Sequence, residues 1–187
     1  MSNQPSLAGR EVPGLATERL ILRPFTLADV EPLYLLLQDP EVLRYFPNPS
    51  TPPRDRVQRL VGNILAHWQE HGFGWWALEQ QAEPRLMGWC GLTFLPETGE
   101  TEVAYCLGKP YWGQGFATEA ASASLRFGFE SLTLPRIIGL VHPDNTASSH
   151  VLEKLGMSFV DRSRYFGMDL LRYWRDGDTW PSAHEQA

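Results

Sequence analysis

Lysine and cysteine are both scarce in this 187-residue chain. Only Lys109 and Lys154 represent the first, and only Cys90 and Cys106 the second. Two cysteines cannot build a disulfide framework or a cysteine-rich zinc site, and both fall in apolar, strand-like runs, so they read as reduced core residues. The histidines His67 and His71 have Glu70 between them, but the order HWQEH is not the HExxH of zinc proteases, and they read as part of a solvated helix face with no metal. No run approaches the roughly 18 apolar residues that span a bilayer, and the opening MSNQPSLAGREVPG lacks a signal peptide's apolar centre. A cytoplasmic location without membrane contact is the default expectation. With arginine carrying most of the positive charge, the formal net charge is -6, which argues against a nucleic-acid surface and suits either plain solubility or a cationic acceptor such as an amine.

What is present is ordinary for a globular protein, 43% hydrophobic and 20% charged, with no internal repeat or linker. A mobile segment at 1–13, one domain over 14–176 and a tail at 177–187 are expected. Thr17 to Pro24 suits a first strand. Thr26 stands as an N-cap before Val30, Leu33, Tyr34 and Leu37 at helical spacing, and Asp39 and Pro40 stop that helix. Ser50 to Pro53 opens a second helix with the stripe Val57, Leu60, Val61, Ile64, Leu65 and Trp68, ended by Gly72. Gly74 to Gln80, Leu86 to Leu95 and Thr101 to Leu107 read as an antiparallel meander. A helix follows with Ala117, Ala121, Leu125 and Phe129 on one face. Arg136 to Val141 is then a strand parallel to the preceding one, because a helix joins them. His142 to Asn145 begins a last helix, in which Ala147, Val151 and Leu155 line up, and two strands around Gly167 close the chain. The order gives a mixed α/β layer.

Gly108 to Ala120, GKPYWGQGFATEA, is the most informative stretch. Glycines admit close backbone approach, and the first amides of a helix lack intrahelical acceptors and favour an anion. A Walker loop is excluded because Lys109 precedes the glycines. A dinucleotide fingerprint is excluded because Thr118 stands where a third Gly or Ala is needed.

This stretch, the upstream TEVAY and the downstream HPDNTASSHVLEKLGM together resemble the GCN5-related N-acetyltransferase (GNAT) superfamily, in its ribosomal-protein alanine acetyltransferase-like (RimJ/RimL-like) branch, from about Thr17 to about Trp174. The resemblance implies a central, mostly antiparallel sheet flanked by helices, with one parallel pair, strands 4 and 5, that splays apart. It implies acetyl-CoA as co-substrate and no metal. The cofactor would lie along Val103, Ala104 and Tyr105, with its pyrophosphate on Gly113, Gln114, Gly115, Phe116, Ala117 and Thr118 and its arm on Asn145. A bulge near Val103 to Tyr105 would free an amide for the thioester carbonyl. Trp112 occupies the slot where the family usually has Gln or Arg, so binding would rest on backbone amides.

Acetyl transfer to an amine needs a base for the amine and a proton for the departing thiolate. Alternation puts Glu102, Ala104 and Cys106 on one face of their strand, and Glu102 is the candidate base; as a strand-end residue it could equally be exposed. Ser148, one helical turn after Asn145, is the candidate acid or a helix-capping residue, and Asn145 can itself be the N-cap. The Tyr that many superfamily members use as the acid is Leu152 here. His142 reads as an exposed loop-entry residue or an assisting base. Trp75, Trp76, Trp89 and Trp112 read as core, while Tyr45, Phe46, Tyr165 and Phe166 fall on segments that border the acceptor groove in relatives. The expected activity is direct transfer to a primary amine, either a peptide N-terminus or a small molecule, in a chain that the resemblance allows to be a homodimer. The alternative is a non-catalytic sensor that binds acetyl-CoA or CoA.

Overall fold

The apolar run after Thr17 forms the second strand of a hairpin. In the computed structural model, which describes residues 12–181, β1 (Leu15–Ala16) turns into β2 (Leu20–Arg23). Thr17 closes that turn: its amide donates to the Leu20 carbonyl at 2.9 Å, and the Leu20 amide returns a bond to its hydroxyl at 3.0 Å. The segment expected to be mobile lies, for residues 1–11, outside the described residues, as do tail residues 182–187. Residues of the expected tail that are described are anchored, with the Gly177 amide on the Pro135 carbonyl and the Trp180 ring 5.3 Å from Phe129.

A short 3-10 turn at Leu27–Asp29 leads into α1 (Val30–Leu36). Asp29 is buried there because Arg23 donates to both of its oxygens, at 2.8 and 2.6 Å, and the Thr26 amide donates at 2.7 Å. The stripe of α2 (Arg54–His71) buries Val57, Val61, Ile64 and Trp68. Then come β3 (Trp75–Gln80), β4 (Leu86–Leu95), β5 (Glu100–Leu107), α3 (Phe116–Arg126), β6 (Arg136–Val141), α4 (Thr146–Lys154), β7 (Ser158–Tyr165) and β8 (Met168–Asp176). The strands form one sheet in the order β1-β2-β3-β4-β5-β6-β8-β7. Every pair is antiparallel except β5 with β6, which is the parallel pair expected as strands 4 and 5 once the extra first strand is counted.

The two faces of the sheet carry different cargo. Cys90 Sγ lies 3.4 Å from Ser124 Oγ, which puts α3 on the Cys90 face, and Leu152 packs beneath Gly139 to put α4 on the same side. On the opposite face Trp89 stacks on Trp75 at 5.5 Å and meets Phe46, from the connection between α1 and α2, at 6.2 Å. Both cysteines are free and buried, as their surroundings in the sequence imply. One expected stripe holds only in part: Val151 packs half-buried against the core and Leu155, just past α4, is buried, whereas Ala147 is exposed, because the helix turns Leu152 toward the space that Gly139 leaves and Ala147 toward an open cavity.

Candidate active site

β5 and β6 touch at a single register point, Glu102 opposite Ile138. β6 meanwhile pairs with β8 along its whole length, Arg136 to Val141, so past that point it follows β8 away from β5. The Gly108 amide donates to the Met87 carbonyl at 2.8 Å, which fixes the alternation of the β4 and β5 ladder. Glu102, Ala104 and Cys106 therefore turn their amides toward β4, and Val103, Tyr105 and Leu107 turn theirs toward β6. Beyond the meeting point the Tyr105 and Leu107 amides face the gap. The expected bulge is absent, since the β4 and β5 register runs unbroken from Gly88 with Leu107 to Leu95 with Glu100. Splaying frees the amides instead.

The loop at the open end of this gap is a glycine turn that runs directly into a helix start. Gly113 and Gly115 have φ of 72° and 82°, a region where a side chain is strained, and α3 starts directly after them. The first backbone bond back into the loop is from the Glu119 amide to the Gly115 carbonyl, and among the described residues none of the amides from Gly113 to Thr118 donates to a protein acceptor. Six consecutive open amides at a helix start fit a pyrophosphate. They border a cavity of about 520 Å³ that Tyr105, Asn145 and Ser148 also line. Of the residues expected to hold the cofactor, Gly113, Gly115, Phe116, Ala117 and Thr118 border it, whereas Val103, Ala104 and Gln114 do not. Val103 points its side chain into the core, and Gln114 folds back so that its side-chain amide donates to the Pro110 carbonyl at 2.8 Å. Trp112 is not core: it is 45% exposed, pinned by an indole N–H bond of 2.7 Å to the Leu107 carbonyl, and it lines the cavity.

Asn145 caps α4. Its Oδ1 accepts the Ser148 amide at 3.2 Å, and its Nδ2 donates to the Ser148 hydroxyl oxygen, also at 3.2 Å. The hydroxyl proton of Ser148 is left free to donate into the cavity. Tyr105 donates its hydroxyl to the Ser148 carbonyl at 3.2 Å, joining β5 to α4 across the gap, and burial pushes its own pKa up.

Glu102 sits where the strands part, 8% exposed, on the face opposite α3 and α4. Burial alone raises its carboxyl from 4.5 to about 8. The exposed strand-end alternative is thereby excluded. Its side chain is outside the cavity lining, although Cys106 from the same face of β5 borders that cavity. Tyr45 and Phe46 line the cavity, and Tyr45 stacks on His142 at 5.3 Å. Tyr165 and Phe166 do not border it. Tyr165 is buried with its hydroxyl on Glu100 at 2.6 Å, and Phe166 is exposed at a hairpin tip. His67 is no solvated-face residue either: its Nε2 accepts the Phe94 amide at 3.3 Å, and desolvation, with His71 second, lowers its pKa to about 4.

The order of elements, the parallel pair that opens at Glu102 and the amide-lined loop at its mouth meet the match of a family model, "Acetyltransferase (GNAT) domain", to residues 19–158. The chain belongs to the GNAT acetyltransferase family. Among GNAT relatives it is 36% identical over 146 residues to an uncharacterized N-acetyltransferase, p20, of Bacillus licheniformis, covering 75% of this chain and 80% of that one. The acetyltransferase crystal structure from Agrobacterium tumefaciens superposes with a TM-score of 0.79 at 27% identity, covering 89% of this chain and 95% of the other. RimL, a ribosomal L7/L12 alpha-N-protein acetyltransferase solved with coenzyme A, shares the fold with a TM-score of 0.73 at 19% identity, over 88% of this chain and 97% of its own. GNAT domains use acetyl-CoA as acyl donor, and this chain is an enzyme of that kind.

One set of residues at the loop carries no motif that sequence reasoning caught. Thr17 and Arg19, from the turn between β1 and β2, bond Glu119 and the loop backbone. The only signal was a charged and a hydroxyl residue ahead of an otherwise apolar strand.

Proposed function

We propose that this enzyme moves the acetyl group of acetyl-CoA directly onto a primary amine, without a covalent enzyme intermediate. The observation that carries the reading is Glu102, a buried carboxyl with its pKa near 8, at the point where β5 and β6 part. A group titrating there takes a proton from an amine far better than an ordinary carboxylate, because its proton affinity lies closer to that of the ammonium it must relieve.

Acetyl-CoA supplies a thioester whose carbonyl carbon the amine nitrogen attacks. Loop amides Gly113 to Thr118 hold the pyrophosphate, and Asn145 borders the pantetheine arm while capping α4. The Tyr105 amide, released from the ladder by the splay, donates to the carbonyl oxygen as it gains charge. Glu102 accepts the amine proton, directly or through one water. As the C–S bond breaks, the Ser148 hydroxyl gives its proton to the thiolate. The amine arrives from the Glu102 face, and Tyr45 and Phe46, which border the cavity, flank the way in, with His142 stacked on Tyr45.

The sensor alternative, which Leu152 in place of the usual Tyr acid supports, requires an intact loop with no base, and the buried, high-pKa carboxyl at the strand opening speaks against that requirement. Both a peptide N-terminus and a small amine suit this chemistry. A thiol-release screen with acetyl-CoA over N-terminal peptides, polyamines, amino acids and aminoglycosides tests the reading. Release above the amine-free rate with at least one acceptor is expected. Tight acetyl-CoA binding with no release across the whole panel refutes it.

A further inference from the structure

Glu119 stands in the first turn of α3, where a free carboxylate would swing toward the open amides and occupy them itself. It is tied the other way. Its Oε1 accepts the Thr17 hydroxyl at 2.6 Å and the Arg19 amide at 2.8 Å, and its Oε2 accepts Arg19 Nε at 2.7 Å. Arg19 reaches further: its Nη1 donates to the Gln114 carbonyl at 3.0 Å, and its guanidinium lies 4.5 Å over the Phe116 ring. Four polar bonds thus strap the turn between β1 and β2 to the phosphate loop.

The bond to Gln114 sets a direction. In a trans peptide the C=O and the following N–H point opposite ways, and no described peptide bond is cis. Gln114 and Arg19 lie outside the cavity lining, whereas Gly115 belongs to it. Drawing the Gln114 carbonyl outward to Arg19 therefore aims the Gly115 amide inward. The Glu119 charge is cancelled by the same guanidinium, so a bound pyrophosphate meets amides and not a neighbouring anion.

We propose that Arg19 is a positioning residue for cofactor capture: it orients the Gln114–Gly115 peptide so that the Gly115 amide faces the cavity, and with Thr17 it holds Glu119 off the open amides. The inference rests on the reading that this loop binds the pyrophosphate of acetyl-CoA. The contacts belong to the β1–β2 turn, far along the chain from the loop, and act only through backbone orientation.

Calorimetric titration with two probes tests it: acetyl-CoA, and S-acetylpantetheine, which keeps the thioester arm and lacks the pyrophosphate. Arg19→Ala is expected to weaken acetyl-CoA about tenfold or more and S-acetylpantetheine by less than about twofold. Arg19→Met, whose unbranched side chain can still cover the Phe116 ring, is expected to behave alike and serves if the alanine variant folds poorly. Equal affinity of variant and wild type for acetyl-CoA overturns the proposal while leaving the function intact, and so does equal weakening of both probes, the mark of a general structural role. Failure of the wild type itself to bind acetyl-CoA overturns the loop reading and the proposal together.

Discussion

Glu102→Gln removes one ionisable proton and keeps the shape of the buried side chain, so it separates charge from packing. In the folded chain burial holds this carboxyl at about 8 against 4.5 for an ordinary one. Because the folded value is raised, below 4.5 both folded and unfolded chains carry the proton and nothing is lost. Between 4.5 and 8 the unfolded chain ionises first, and the wild type loses about 1.4 kcal/mol of stability per pH unit, a total on the order of 4 to 5 kcal/mol. The glutamine variant escapes that loss. Its melting temperature should match the wild type near pH 4.5 and exceed it by on the order of 10 °C above pH 8, read by differential scanning calorimetry across that range. Turnover moves the other way: kcat should fall by about 10² to 10⁴, with acetyl-CoA affinity within about threefold, and wild-type kcat/KM should rise with pH to an inflection near 8. A stability gap that stays flat from pH 5 to 9, or turnover of the variant within about threefold of wild type, refutes the reasoning.

Three further substitutions probe other parts of the site and scaffold. Gly115→Val puts a branched side chain at φ 82° with its Cβ 3.4 Å from Arg19 Nη2, a strain of about 1 to 3 kcal/mol, and should abolish measurable acetyl-CoA binding by calorimetry; retained affinity would undermine the loop assignment. Ser148→Ala leaves the α4 cap in place, because Asn145 Oδ1 accepts a backbone amide, so kcat should drop about 10²-fold with KM for acetyl-CoA nearly unchanged; an unaltered kcat removes Ser148 as the acid. Gly88→Ala would put a Cβ 2.0 Å from the Cys106 carbonyl oxygen, a backbone atom that cannot swing aside, and should cost about 3 kcal/mol or more in urea unfolding; a wild-type midpoint would contradict the packing of β4 on β5.

Much of this architecture is local in origin and hence readable. The stripe of α2, the strand limits of β4 and β6 and the helix start after Gly115 follow from spacing and turn chemistry within a few residues. Glu102 and Ser148 stand on the strand and the helix where the sequence places them. What escaped depends on contacts between segments distant in sequence. Thr17, expected to begin the first strand, instead forms the turn between β2 and an extra short strand ahead of it, and helps bind Glu119, 102 residues away. His67 has the helical position of a surface residue, yet it fills the place of a missing strand partner for the Phe94 amide. Trp112 has the apolar mass of a core residue, but its indole N–H is claimed by the Leu107 carbonyl at the cavity wall. The opening of β5 from β6 is set by β8, which no local pattern announces.

The most direct test of the central claim is a mass balance on the transfer itself. Purified enzyme is incubated with acetyl-CoA and the best amine of the screen, and free CoA thiol and acetylated amine are counted together by mass spectrometry over the first turnovers. The account predicts equal amounts of the two, loss of both in Glu102→Gln, and an enzyme whose own mass never changes. Thiol release without acetylated amine, or an acetylated enzyme preceding product, would contradict it.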